Sequence, residues 1–351
     1  MKKTIKTWQL VLVCILVLAV LILALQYRTV WIIWSNLTQP KIPLSQDAEW
    51  TGGSYERIAY GDHASQYIDL YVPSSEEPVP LFVLVHGGGF VSGDTQTRQA
   101  QLMYRYFRDH GFACASVNYR LAAEARFPAA IEDVRAAVRF LVGHAQDYGY
   151  RADGIAIWGE SAGGYLAAYE AVTEDQVPIR ALVDFYGVMD FPSMEQQFRA
   201  EKIPGWVVSM GNGWVRDACE GFASCEECWI GKTKNEWTEQ IIRESSVLET
   251  VAGGVANREL KSMILHGDAD ITVPCPQSRE LAASLEAACG KENVAFQLLH
   301  GLGHASDLFY TEEQLGDIAA FLNEALGIHP CSGADTVYTQ NSFLRKYSLY
   351  G

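Results

Sequence analysis

Ser161 lies in Gly159-Glu160-Ser161-Ala162-Gly163, directly after the apolar run Ile155-Ala156-Ile157-Trp158. A strand that ends in G-x-S-x-G and turns at once into a helix makes a nucleophile elbow, with the hydroxyl exposed above the sheet. The pentapeptide alone is a weak signal, because small residues also crowd ordinary turns. A second motif, His86-Gly87-Gly88-Gly89-Phe90, follows another apolar run, Leu81 to Val85. Three glycines let the main chain approach a substrate unobstructed, and the amides of Gly88, Gly89 and Ala162 are the expected oxyanion donors. His86 is read as a brace for this loop, not as a base.

A serine hydroxyl needs a base to take its proton, and the base needs an acid to hold its tautomer. The histidines after Ser161 are His266, His300, His304 and His329. His304 ends the flexible stretch Gly301-Leu302-Gly303-His304, after a strand-like run, and is preferred to its neighbour His300. The acid belongs on the loop after the preceding strand, Met263 to His266, where Gly267-Asp268-Ala269-Asp270 follows. Asp270 is preferred, since an Asp directly after Gly often caps a turn. The expected catalytic set is therefore Ser161, Asp270 and His304, which needs no metal and no organic cofactor.

These groups need a scaffold that brings distant segments together. Strand-like runs (Ile68–Val72, Leu81–Val85, Phe112–Tyr119, Ile155–Trp158, Ala181–Phe185, Met263–His266, Phe296–Leu299) alternate with helix-period stretches (Gln96–His110, Ala129–Tyr148, the segment through Ala171, Leu281–Cys289, Leu315–Leu326). Such alternation predicts an α/β fold with a mostly parallel central sheet and helices on both faces. Ligands in such sheets bind at the carboxyl ends of strands, where both glycine motifs fall. Residues from about 191 to 250 break the rhythm with four tryptophans and three cysteines, and read as a lid-like insertion or a pocket wall. The expected layout is an N-terminal segment over 1–28, a linker over 29–50, the catalytic domain over 51–330 and a loose tail over 331–351.

The 351 residues are about half apolar, enough for one large domain. A formal charge of −15 argues against nucleic acid or an anionic membrane held through basic patches. The N-terminus differs from the rest. Lys2, Lys3 and Lys6 precede an uninterrupted apolar run from Leu10 to Leu25, flanked by Trp8 and Tyr27. Sixteen residues at ~1.5 Å each give roughly 24 Å, slightly short of a ~30 Å hydrocarbon core. An uncleaved membrane anchor is the first reading, with a cleaved signal peptide and a buried helix behind it. The basic start places the rest of the chain outside the cytoplasm, either anchored or secreted. Of eight cysteines, Cys14 lies in the apolar run and Cys114 in a strand. Cys219, Cys225, Cys228, Cys275, Cys289 and Cys331 are open to disulfides, to free thiols or, for the first three, to a metal without an apparent fourth ligand. Oligomeric state is not legible.

The motifs together resemble the α/β-hydrolase superfamily, in the branch of carboxylesterases related to hormone-sensitive lipase and to feruloyl-esterase-like acetyl esterases. The matching pieces are His86–Phe90, Tyr119-Arg120-Leu121, Phe127-Pro128-Ala129 with Asp133, Gly159–Gly164, Asp270 with Val273-Pro274, and Gly303-His304. The resemblance spans roughly residues 55 to 327 and implies Asp270 as the triad acid and the three amides named above as oxyanion donors. It implies hydrolysis of short-chain or acetyl esters, a small-molecule substrate. A peptidase of the same fold and a non-catalytic binding protein are the alternatives. Arg120, Asp133 and Glu160 are read as bracing groups, with a direct substrate role open for Glu160.

Overall fold

The computed structural model describes residues 8, 11–17, 27–44, 52–211, 213, 218–219 and 221–328. Nine of the sixteen residues of the Leu10–Leu25 run, residues 45–50 of the expected linker, Trp214, His329, Cys331 and the 331–351 tail lie outside the described residues.

β3 (Val79–Val85) is buried at every position, as an apolar strand covered on both faces must be. It pairs in parallel with β4 (Ala113–Val117) on one side and β5 (Tyr150–Glu160) on the other. β6 (Ile179–Phe185), β7 (Lys261–Gly267) and β8 (Val294–Leu299) continue the parallel array beyond β5. At the other edge β2 (Tyr67–Pro73) runs antiparallel to β4, and β1 (Gly52–Ala59) antiparallel to β2. The eight-stranded order is β1-β2-β4-β3-β5-β6-β7-β8. This is the mostly parallel α/β sheet expected from the alternation, and the α/β-hydrolase architecture that the resemblance implies. β1 was not legible in the sequence, because most of its side chains are exposed and Gly52-Gly53-Ser54 has no apolar alternation.

Alternate side chains of each strand feed opposite faces. Val83, Ile157 and Ile264 pack with α3 (Ala129–Gly143), α4 (Ala162–Thr173) and α10 (Pro276–Cys289). Phe82, Leu84, Trp158 and Leu265 pack with α2 (Arg98–Asp109) and α11 (Glu312–Ala325). Fully burying a Phe or Leu side chain contributes about 1.5–3 kcal/mol, so this central layer makes β3 and β5 rigid supports for the loops at their carboxyl ends. The stretch read as one helix over Ala129–Tyr148 breaks at His144, with only one further helical turn over Ala145–Tyr148.

Two parts of the expected layout are corrected. The segment expected as a linker carries α1 (Tyr27–Leu37), which docks on the domain. Ile32 packs with Phe198, Val207 and Ile271, Arg28 pairs with Glu201, and Asn36 Nδ2 donates to the Ala269 carbonyl at 2.8 Å. Beyond the helix, Ile42 N–H donates to Asp307 Oδ2 at 2.8 Å, and Arg98 joins the same carboxylate. The prolines suggested a linker, but the polar ends of α1 find partners only in the folded chain. The insertion is also shorter than expected. It holds α5 (Met194–Ala200), α6 (Gly205–Gly211), α7 (Cys225–Ile230) and α8 (Glu239–Glu244). α9 (Val247–Gly253) already belongs to the main core: Val247 is fully buried and its amide donates to Met189 O at 2.9 Å.

Trp229 of α7 fastens the insertion to the glycine loop. It is fully buried and stacks on Phe90, the last residue of His86–Phe90, at 4.2 Å between ring centroids. Cys219, Cys225, Cys228 and Cys289 lie buried in the same core as free thiols, and Cys275 is a buried free thiol outside it. Burial pushes the Cys219 thiol up to about 12 and the Cys275 thiol to about 12, so neither is a ready thiolate at neutral pH. Among the described residues no group of three or more His, Cys, Asp or Glu is placed to hold a metal ion.

Candidate active site

Ser161 stands between the last residue of β5 and the first of α4, at φ 52° and ψ −121°. Such a backbone costs about 1–3 kcal/mol for a residue with a Cβ and persists only where the surroundings enforce it. The surroundings here are close. A Cβ on Gly159 would meet Gly163 O at 2.0 Å, and a Cβ on Gly163 would meet Val85 O at 2.1 Å. The two glycines of the motif are therefore required by a hairpin-tight approach of α4 to β5 and β3. Ser161 N–H is held by Phe185 O at 2.9 Å.

His304 follows β8 and reaches back over the elbow. Its Nε2 lies 3.0 Å from Ser161 Oγ, and its Nδ1 lies 2.7 Å from Asp270 Oδ2. The other Asp270 oxygen accepts from the amides of Thr272 at 2.8 Å and Val273 at 2.9 Å, which sets the carboxylate plane. The rival groups pair with each other instead: His300 Nδ1 sits 2.7 Å from Asp268 Oδ2, on an 81% exposed histidine. Asp268 also accepts from the Gly301 amide at 2.7 Å, so it shapes the turn that precedes His304.

Burial disfavours a charged imidazole at His304, but the charge and hydrogen bond of Asp270, aided by Glu160, outweigh it and raise its pKa. Burial would likewise raise Asp270; the charge of His304 and hydrogen bonds from His266 and His304 instead hold it well below the usual carboxylate range. A carboxylate that stays ionised beside an imidazole inclined to accept a proton is the electrostatic arrangement of a general base.

Gly88 (φ 114°) and Gly89 (φ 60°) bend the loop after β3 over Ser161. The Gly88 carbonyl takes the amides of Val91 and Ser92, each at 3.1 Å. Among the described residues the Gly88 and Gly89 amides have no acceptor of their own. The Ala162 amide opens α4, where helical N–H groups lack intrahelical partners. All three residues line one cavity of ≈ 840 Å³ together with Ser161 and His304. His86 is buried and neutral by desolvation, donates from Nδ1 to Gly87 O at 2.7 Å, and stacks on Tyr119 at 4.4 Å. It braces the loop, as expected. Arg120 forks onto Asp133, with the shortest contact 2.6 Å, and holds the turn after β4.

A family model named BD-FAE matches residues 68–285, more than half of the chain. This chain belongs to the BD-FAE family. Among curated relatives of this BD-FAE protein, Esterase LipC of Mycobacterium tuberculosis (strain ATCC 25618 / H37Rv) is 25% identical over 287 residues, covering 76% of this chain and 64% of LipC. The Acetyl esterase of Salmonella paratyphi B is 36% identical over 115 residues, 32% of this chain and 33% of that one. The chain thus spans less than two thirds of the length of these relatives. A truncated carbohydrate esterase from gut microbiota superposes with a TM-score of 0.63 at 22% identity, covering 80% of this chain and 99% of that one. Esterase B from Lactobacillus rhamnosis (HN001) gives 0.61 at 16%, covering 89% and 94%. Likenesses at these identities establish the fold.

One group beside the site had no role in the sequence reading. His266 Nε2 lies 3.3 Å from Asp270 Oδ2 and 3.1 Å from Val273 O, while its Nδ1 meets Ser278 Oγ at 2.8 Å. It backs Asp270 from behind. Its place at the end of β7, two residues before Asp268, was the available signal. Glu160, read as a bracing group with a substrate role open, is buried in the cavity wall: Tyr186 donates to its Oε2 at 2.7 Å and Tyr310 at 3.3 Å. Burial raises its pKa against these donors and the charge of His304. Since Glu160 helps raise His304, Glu160→Gln is expected to move the acid limb of kcat/KM to lower pH, with the Tyr186 hydrogen bond retained by the amide oxygen. A pH–rate profile on p-nitrophenyl acetate measures this; an upward displacement contradicts the assigned coupling.

Proposed function

We propose that this protein is a serine carboxylic-ester hydrolase that acts through an acyl-enzyme on short-chain or acetyl esters. The observation that carries the reading is His304, with one ring nitrogen 3.0 Å from Ser161 Oγ and the other 2.7 Å from Asp270. Relatives named as esterases support it. Ser161 Oγ attacks the ester carbonyl while His304 Nε2 takes its proton. The carbonyl oxygen gathers charge facing the amides of Gly88, Gly89 and Ala162, each such donor being worth about 10²–10³ in rate. The imidazolium, steadied by Asp270, returns the proton to the leaving alcohol. Water, deprotonated by His304, then attacks the acyl-serine, and collapse frees the carboxylic acid and Ser161.

The insertion forms one wall of the cavity through Met194, Phe198, Ile203 and Val208, apolar groups suited to a small acyl or alcohol part. The N-terminal run Leu10–Leu25, preceded by three lysines, anchors the chain in a membrane with the hydrolase domain outside the cytoplasm. Among the described residues no helix is long and apolar enough to cross a membrane. A fluorophosphonate probe, followed by peptide mapping, tests the chemistry: labelling is expected at Ser161 alone, with fastest turnover on acetate among p-nitrophenyl esters from acetate to palmitate. A folded protein that is not labelled, or that prefers aminoacyl-nitroanilides, overturns the reading.

A further inference from the structure

α1 has two faces with opposite partners. Thr29, Ile32 and Ser35 point into the domain and are buried. Tyr27, Val30, Trp34 and Leu37 follow one another at spacings of three, four and three, so they form one stripe on the outer face. That stripe is apolar and exposed: Tyr27 is 69%, Trp34 63% and Leu37 74% accessible. A helix packed on a domain in water normally turns its polar residues outward. α6 repeats the arrangement, burying Val207 against Ile32 while exposing Trp206 and Met210 one turn apart. Both helices border the mouth of the cavity, which Asn36 of α1 and Gly205 and Val208 of α6 line. These outward side chains have no role in the hydrolase core.

We infer that the outer faces of α1 and α6 rest on a zwitterionic phospholipid bilayer, so that the cavity mouth opens at the lipid surface and takes esters carried by amphiphiles in that bilayer. This rests on the proposed N-terminal anchoring and on the proposed esterase chemistry. The occupant follows from the chain itself. Residues 11–17 are helical, and every apolar side chain among Val11, Leu12, Val13, Ile15, Leu16 and Val17 is more than half exposed. Apolar on all sides, such a stretch has no place in water. The apolar run it belongs to ends at Leu25, two residues before α1 begins. Whatever surface receives that run is therefore held against the start of the exposed stripe. Trp34, Trp206 and Tyr27 are side chains that favour a membrane–water boundary, with an apolar body and a polar tip. The net charge of −15 selects a zwitterionic rather than an anionic surface.

The test keeps the acyl group constant and changes only where the ester resides. Full-length protein is reconstituted with phosphatidylcholine vesicles and compared with Trp34→Glu/Leu37→Glu and Trp206→Glu/Met210→Glu. Wild type and variants are expected to float with vesicles, through the N-terminal run. Hydrolysis of hexadecyl acetate within the vesicles should fall at least about tenfold in both variants, because carboxylates would have to enter the apolar layer. Hydrolysis of p-nitrophenyl acetate supplied from water to the same vesicle-bound enzymes should stay unchanged. Floating variants with wild-type hexadecyl acetate rates overturn the docking face and leave anchoring intact. Wild type left at the bottom of the gradient overturns anchoring and docking together. If neither ester is cleaved, the esterase reading fails, and brominated phosphatidylcholine decides the docking face alone: quenching reduced by Trp34→Phe supports it, and undiminished quenching overturns it. A lipid-free dimer that the glutamate variants disperse assigns the face to a second copy of the chain and overturns the inference.

Discussion

Replacing Ser161 by alanine is expected to lower kcat on p-nitrophenyl acetate by about 10⁶, with the melting temperature little changed. The hydroxyl is the group removed, and its one side-chain partner among the described residues is His304 Nε2 at 3.0 Å. The elbow itself is shaped by Gly159, Gly163 and the Ser161 amide bond to Phe185, none of which the substitution touches. The cavity and the three amides remain, so KM for soluble esters should move far less than kcat. Stopped assays on purified variant, with circular dichroism to verify folding, measure both. A folded Ser161→Ala protein with near-wild-type turnover eliminates the acyl-enzyme mechanism.

The second large effect is expected at Asp270. Its Oδ2 accepts from His304 Nδ1, which leaves the Nε2 lone pair aimed at Ser161. In Asp270→Asn the amide oxygen would keep the Thr272 and Val273 amides, and the NH₂ group would face the ring. Histidine would then have to accept at Nδ1 and carry its proton on Nε2, where it cannot take one from serine. In triad enzymes that wrong tautomer costs about 10⁴ in kcat. The acid limb should also shift to lower pH, because the charge that chiefly raises the His304 pKa is gone. Asp268→Asn is the control: it breaks the exposed pair with His300 and should leave kcat near wild type. A reversal of the two results would reassign the acid. Folding has its own pH dependence here. Because Asp270 is held below its unfolded value of ~3.9, the stability it lends is present above that pH and is lost as pH falls through the folded value.

How much of this was written in the chain depends on the range of the interaction concerned. β3, β5 and β7 were legible because each is a short apolar run closed by a chemically marked loop. His86–Phe90, Gly159–Gly163 and Gly267–Asp270 mark the carboxyl ends of those three strands. β1 was not, because an edge strand with a solvated surface satisfies its backbone through β2 and leaves no hydrophobic trace. The choice of His304 over His300 rested on loop context, and the structure gives it geometry: one histidine faces Ser161 and the other stacks on Trp31 at 4.9 Å.

The expectation that failed most clearly was the linker. Residues 27–37 have no acid in the first turn and no base in the last, and Pro40 and Pro43 follow, so little in the sequence marks a helix there. They form α1 because Ile32 fills a pocket among Phe198, Val207 and Ala269, and because Asn36 and Gln39 bond carbonyls of the two loops that carry Asp270 and His304. Those two carbonyls lie more than 230 positions away in the chain.

Local residue chemistry alone determined the elbow, the glycine loop and the candidates proposed as nucleophile, base and acid, since each depends on backbone constraints and side-chain types within a few neighbours. Tertiary structure alone decided what surrounds them: the bracing of Asp270 by His266, the enclosure of Glu160 by Tyr186 and Tyr310, and the seating of α1 beside the cavity mouth. Those contacts join segments whose separation along the chain bears no relation to their distance in space, and only the packed sheet with its two helical layers brings them together.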